Sequence, residues 1–173
     1  LIYRGYQVDH IMNITDVEDK IIKKVKKNDL ALEELTEQYS KAFFEDLKSL
    51  NILPATQYPK ATDHVFEIVQ MVNILIEKGY AYERDGSFYF SIRKSPSYGE
   101  LAGLDLKGIQ TATSGMDTDE YDKEDARDFV LWKAWKEEDG DVFWESDLGK
   151  GRPGWHMECS CMAIKYLGET IDI

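Results

Sequence analysis

The sequence predicts an α/β fold, and three observations carry that expectation. Val8, Ile11 and Ile14, after an early Gly5, read as a buried strand, and Thr15-Asp16-Val17-Glu18 follows at once as a helix start. A strand that feeds directly into a capped helix is the pattern of a β-α unit in an open sheet. Phe129-Val130-Leu131-Trp132 is continuously apolar, as a strand covered on both faces is. Amphipathic helical stretches occupy 32–50, 62–79 and 155–167.

Composition sets the outer bounds. At 173 residues the chain can bury the core of one domain to one and a half. Its 43% hydrophobic and 12% aromatic content is that of a globular protein, not a disordered one. A net charge of −12 argues against a chain whose main business is coating phosphate, without excluding nucleic-acid contacts elsewhere in a larger protein. No apolar run approaches the roughly 18 residues of a membrane helix, and no signal-peptide pattern opens the chain. Two cysteines without a framework spacing suit a reducing, cytoplasmic setting. Both ends, at Leu1 and Ile173, read as cut through structured sequence.

The elements follow in order. In Thr15–Glu18 the hydroxyl is expected to accept an early helical N–H while Glu18 reaches back, a capping box worth about 1 kcal/mol. Asp16, Glu18 and Asp19 suit the positive end of that helix, which continues through Ile21, Ile22 and Val25. Lys20, Lys23, Lys24, Lys26 and Lys27 read as its solvated face. Leu32, Leu35, Tyr39, Phe43, Leu47 and Leu50 step by three and four, the mark of an amphipathic helix. Pro54 and Pro59 mark a connection, Thr62 is a candidate cap for the next helix, and Gly79 closes that helix. His64, in the cap region, is expected at the surface. Tyr80–Glu83, a turn at Asp85-Gly86, and Ser87–Ile92 read as a hairpin. Residues 95–128 are poor in apolar side chains. Within them Gly115–Glu120 resembles a calcium loop only superficially and reads as a solvated loop. Thr170–Ile173 looks like the beginning of a strand.

The stretch Gly151-Arg152-Pro153-Gly154-Trp155-His156-Met157-Glu158-Cys159-Ser160-Cys161-Met162 carries the chemistry. It is expected to be a stiff Gly/Pro turn leading into a helix that Gly168 caps near Leu167. On that helix Trp155 and Cys159 are four apart and share a face, whereas Cys159 and Cys161 point about 200° apart. Spacing alone favours a small buried thiol beneath a core Trp over a metal-binding or reactive one.

This run resembles the Gly-Arg-Pro-Gly-Trp-His-(Ile/Met)-Glu-Cys-Ser segment of cysteinyl-tRNA synthetases, and Asn13-Ile14-Thr15-Asp16 with Asp19-Lys20-Ile21 resembles a second segment of that family. The context Asp125–Lys133 is similar as well, so the resemblance covers essentially the whole chain in order. It implies a class I synthetase Rossmann-like nucleotide-binding fold, split by a connective insertion. The expected division is 1–82 for part of the catalytic domain with packed helices, 83–128 for the insertion, and 129–173 for the return with the helix that carries the metal ligand. It also implies that Cys159 is one of four protein ligands to a zinc ion that holds the substrate thiolate. Trp155 would line the cysteine pocket, and Thr15 would lie near the bound amino acid. Cys161 stands where the family usually has Ala and inherits no role, and His156 is not the family's ligand histidine.

The implied activity is cysteine–tRNA ligation, with cysteine, ATP (Mg2+ accompanying it) and tRNA(Cys) as partners of a monomeric protein. Neither a His-Ile-Gly-His nor a Lys-Met-Ser-Lys-Ser type segment occurs in the chain, so no catalytic residue is assigned within it. Two other readings remain open. One is a cysteine ligase of the mycothiol pathway on the same fold. The other is a non-catalytic acidic interaction module. Because phosphate positioning and charge stabilisation supply most of such catalysis, the 173-residue chain by itself is expected to give no cysteine-dependent pyrophosphate exchange. Exchange above background would overturn that expectation.

Overall fold

The computed structural model describes residues 1–103 and 128–173. Gly115–Glu120, Asp125–Arg127 and the 104–127 part of the expected insertion lie outside the described residues. Helices α1 (Asp19–Asn28), α2 (Leu32–Ser49), α3 (Val65–Glu77) and α4 (Trp155–Leu167) accompany strands β1 (Ala81–Arg84), β2 (Ser87–Phe90), β3 (Phe129–Ala134) and β4 (Gly151–Pro153). The fold is α/β, as the sequence predicts.

The strands form one sheet in the order β1-β2-β3-β4, and every pairing is antiparallel. Asp85 and Gly86 both hold positive φ, 51° and 76°, the two-residue turn whose twist suits a hairpin. Part of the stretch expected to be inserted, β2, thus pairs directly with β3 of the expected return.

The anticipated strand at 8–14 is extended but makes only isolated parallel bridges, Ile11 with Gln57 and Ile14 with Lys60. The reason lies in one residue. Met12 N–H donates to Gln57 O, Ile14 N–H to Pro59 O, and Ala61 N–H to Ile14 O. The bond that would join these into a continuous ladder needs an N–H from residue 59, and Pro59 has none.

Two expected caps are absent. Helix α1 starts at Asp19 with no side-chain cap, so Thr15 does not cap it. Thr62 does not cap α3 either, since a short turn at Thr62–His64 intervenes. Instead the buried Asp16 carboxylate accepts the Thr62 N–H at 2.9 Å and its hydroxyl at 2.6 Å. His64 corrects a further expectation. It is 3% exposed, with Nδ1 2.6 Å from Lys60 O and Nε2 2.9 Å from the Tyr166 hydroxyl. The apolar run that begins at Val65 draws this entry turn inside.

Gly151–Pro153 is not a turn but strand β4, and Gly154 is the N-cap of α4 with φ −76°. The glycines serve close approach rather than unusual dihedrals. A Cβ on Gly154 would run into the Val130 carbonyl, and one on Gly151 into the Lys133 carbonyl and the Trp132 indole. Gly168 caps α4 as expected, at φ 81°. Thr170–Ile173 is irregular and exposed, with no strand beside it among the described residues.

Two apolar clusters hold these parts. The larger packs Val65, Ile68, Val69 and Val72 of α3 against Ala81, Leu131 and Trp132 of the sheet and Met157 and Cys161 of α4. The smaller joins Val17, Ile22, Ala61, Val142 and Met162. Helix α4 belongs to both. In α2 only Leu35 is buried, so most of its apolar stripe is open in this chain. No helix of the described residues is long and apolar enough to cross a membrane.

An ion cluster fixes α1 to the sheet. Lys133 and Arg152 are cross-strand partners, both buried. Asp19 accepts from Lys133 Nζ at 2.8 Å and from Arg152 Nη2, and Asp139 stands 3.6 Å from Arg152. Partial burial pushes the Asp19 carboxyl up, but Lys133 and Arg152 outweigh it and hold its pKa below 3.8. A carboxylate with a depressed folded pKa contributes stability that is complete above its unfolded value and lost as pH falls through the folded one. Asp19→Asn is therefore expected to cost about 1–3 kcal/mol near neutral pH, since buried donors lose a charged acceptor. The half-exposure of Asp19 argues for the lower part of that range. Urea unfolding of both proteins should show the gap shrinking only below about pH 4.

Candidate functional site

Helix α4 presents three stripes, each made by residues four apart. Met157 and Cys161 face α3 and the sheet. Glu158 and Met162 point inward at 1% exposure each, toward the segment before α1. Trp155 and Cys159 share the third stripe and are exposed, Trp155 at 57%. Neither is the core residue that spacing alone favours, while Cys161 at 3% is. The indole stacks on the His156 ring at 3.6 Å between centroids, and His156 in turn meets Phe129 at 4.6 Å.

Thr15 arrives from far away in sequence. The 10–14 segment is bonded to 56–61 on either side of Asn13, and Asp16 is anchored on Thr62. This brings Asn13 beside α4. Its Nδ2 lies 3.3 Å from Thr15 Oγ1 and 3.5 Å from Cys159 Sγ. One side-chain amide therefore spans the two residues. A cleft of about 440 Å³ opens beside Asn13 and Thr15, between residues 13–16, α1 and α2, and Cys159 does not line it.

Glu158 is the least expected feature. Neither carboxyl oxygen has a hydrogen bond of good geometry among the described residues. Burial first, and then the charge of Asp16, pushes it up to about 8, against the pull of Arg152, and the nearby Thr15 hydroxyl lowers it only slightly. Burial and the neighbouring Glu158 also raise the Cys159 thiol above its ordinary value, while the Asn13 amide draws it down.

Sequence reasoning singled out Thr15, Trp155 and Cys159, and it did not single out Asn13 or Glu158. Both stand inside the motifs that carried the resemblance, so their types were visible. Their contacts span more than a hundred residues and left no local signature. Among the described residues no three His, Cys, Asp or Glu side chains gather as a metal ion requires. What they offer a soft ion is one exposed thiol with polar neighbours, which fits a single ligand position.

Comparison with known proteins gives a consistent picture. The model of the class I (C) tRNA synthetase catalytic domain matches residues 1–173. A cysteine–tRNA ligase of Brachyspira hyodysenteriae is 54% identical over 170 residues, covering 98% of this chain and 36% of the relative. The Chlamydia pneumoniae cysteine–tRNA ligase is 51% identical over 175 residues, covering 100% and 37%. That of Latilactobacillus sakei subsp. sakei is 51% identical over 173 residues, covering 99% and 36%. The chain thus spans little more than a third of the length of the curated relatives it matches.

The two thiols differ in access, and this is directly measurable. In the native protein a thiol-specific disulfide reagent should modify Cys159 and spare Cys161, which reacts only after denaturation. The native reaction should be slow at neutral pH and quicken as pH rises toward and beyond 9, because the thiolate is the nucleophile and its pKa is raised. Cys159→Ser should abolish the native reaction; two equivalents reacting at once would contradict the burial of Cys161.

Proposed function

The chain belongs to the class I (C) tRNA synthetase catalytic domains, and on that premise we propose that the full-length protein is a cysteine–tRNA ligase. It activates cysteine with ATP, accompanied by Mg2+, and transfers the cysteinyl group to tRNA(Cys). The observation that carries the reading is the meeting of Thr15 and Cys159 on one amide, with Trp155 exposed on the same stripe as the thiol.

Cys159 contributes one thiolate ligand to a zinc ion, and the remaining ligands come from parts of the full-length protein beyond this chain. When bound, zinc selects a thiolate substrate over a hydroxyl one and stabilises its charge. The residues here do the positioning. Trp155 offers an apolar wall for a short side chain. The Thr15 hydroxyl accepts from Asn13, which leaves its own proton to donate. Glu158, enclosed at 1% exposure, packs the inward side of the helix on which the ligand sits. The rigid backbone contact of Gly154 with Val130 holds the whole stripe in place.

A site built to bond a particular group rejects analogues that lack it by several kcal/mol. In the full-length protein, Cys159→Ser should lose zinc and cysteine-dependent pyrophosphate exchange together, since a hydroxyl is a poor zinc ligand. Cys161→Ala should keep both at a modest cost in stability, as it removes one buried sulfur. Metal analysis and exchange assays on the two variants decide the matter. Wild-type zinc content in Cys159→Ser would remove Cys159 from the site.

A further inference from the structure

We propose that Asn13 is the positioning residue of Cys159: its side-chain amide fixes the direction of the sulfur and ties it to Thr15. The inference rests on the reading of Cys159 as a metal ligand and goes beyond it, because it names what aims that ligand.

The geometry carries the argument. Cys159 lies on the exposed stripe of α4, where its sulfur reaches toward the segment before α1. There it meets the side-chain donor Asn13 Nδ2, 3.5 Å away, and a bonded partner narrows the choice among rotamers. An amide nitrogen has two hydrogens, and here two acceptors meet it, Sγ of Cys159 and Oγ1 of Thr15. Both donors are used, so the amide plane is determined by two points on different elements. Its backbone is equally constrained. The neighbours on either side donate main-chain bonds, Met12 N–H to Gln57 O at 3.1 Å and Ile14 N–H to Pro59 O at 2.8 Å. Asn13 is therefore a short, doubly anchored arm, reaching across 146 positions of sequence to the thiol.

A donor aimed at a ligand sulfur acts as outer-shell groups act in metal sites. It orients the ligand, favours the thiolate, and its loss typically costs about 10–100-fold in metal affinity. The shared amide also couples the two halves of the pocket, since any shift of the Thr15 loop moves the donor on Cys159.

The test uses the metal-free full-length protein titrated with Co2+ alone, read by the thiolate-to-cobalt charge-transfer band. The wild type should show a band that weakens in Cys159→Ser. Asn13→Ala and Asn13→Asp should both bind Co2+ about 10–100-fold more weakly with a displaced band, and Asn13→Ser, which keeps a donor on a shorter arm, should recover part of the loss. Thermal unfolding of each variant accompanies the titrations, and a loss of affinity that tracks unfolding with an unmoved band overturns the inference. So does wild-type affinity in Asn13→Ala, or weakening in Asn13→Asp alone, where the cause would be the added charge. A wild-type band that does not depend on Cys159 defeats the metal-ligand reading itself, and the inference with it.

Discussion

Lys133 and Arg152 are cross-strand partners on β3 and β4, two like charges buried side by side. Directly opposed like charges destabilise a sheet, and each alone is costly to remove from water. The arrangement stands because Asp19, at the start of α1, and Asp139, in the β3–β4 connection, come to meet it. This requirement organises the molecule. It fixes where α1 begins against the sheet, and with it the segment just before, Asn13 to Asp16. The same strand β4 leads through Gly154 into α4. The two carriers of the site, the 13–16 loop and the first turns of α4, are thus attached to one ionic knot from opposite sides.

What the sequence made legible was local. The Asp85-Gly86 turn, the apolar strand at 129–132, the spacing of α3 and the Gly168 stop are each decided by residues within a turn or two of one another. The shared face of Trp155 and Cys159 falls in the same class, because it follows from helical pitch. What was not legible depended on remote partners. Thr62 looks like a cap, yet the hydrogen bonding that decides its role runs to Asp16, far back in the chain. His64 looks like a surface residue until Lys60 and Tyr166 close over it. The Gly/Pro stretch reads as a turn because glycine is usually placed for its dihedrals. Here it is placed for its missing side chain, a fact that exists only once Val130 lies against it.

The isolated parallel bridges of 8–14 are instructive in the same way. Sequence pattern identified 8–14 as a strand, and the backbone there is indeed extended, with hydrogen bonds toward 56–61. A regular ladder fails at Pro59, one residue in the partner segment. Secondary structure is a property of pairs, and a pattern read along one member cannot report the defect carried by the other.

The three-stripe division of α4 has a consequence for the oxidation chemistry of the protein. The chain has two cysteines, two residues apart, yet one looks into solvent and the other into the core. Their side chains diverge by more than half a turn of helix, so the bond geometry of an internal disulfide is out of reach while α4 stays folded. Oxidising equivalents that reach Cys159 must take another course, to a sulfenic acid or to a bridge with a thiol outside this helix. The fold therefore denies this cysteine a bridge to its nearest thiol in sequence. Oxidation at Cys159 would thus leave Cys161 a buried, unbridged thiol for as long as α4 stays folded.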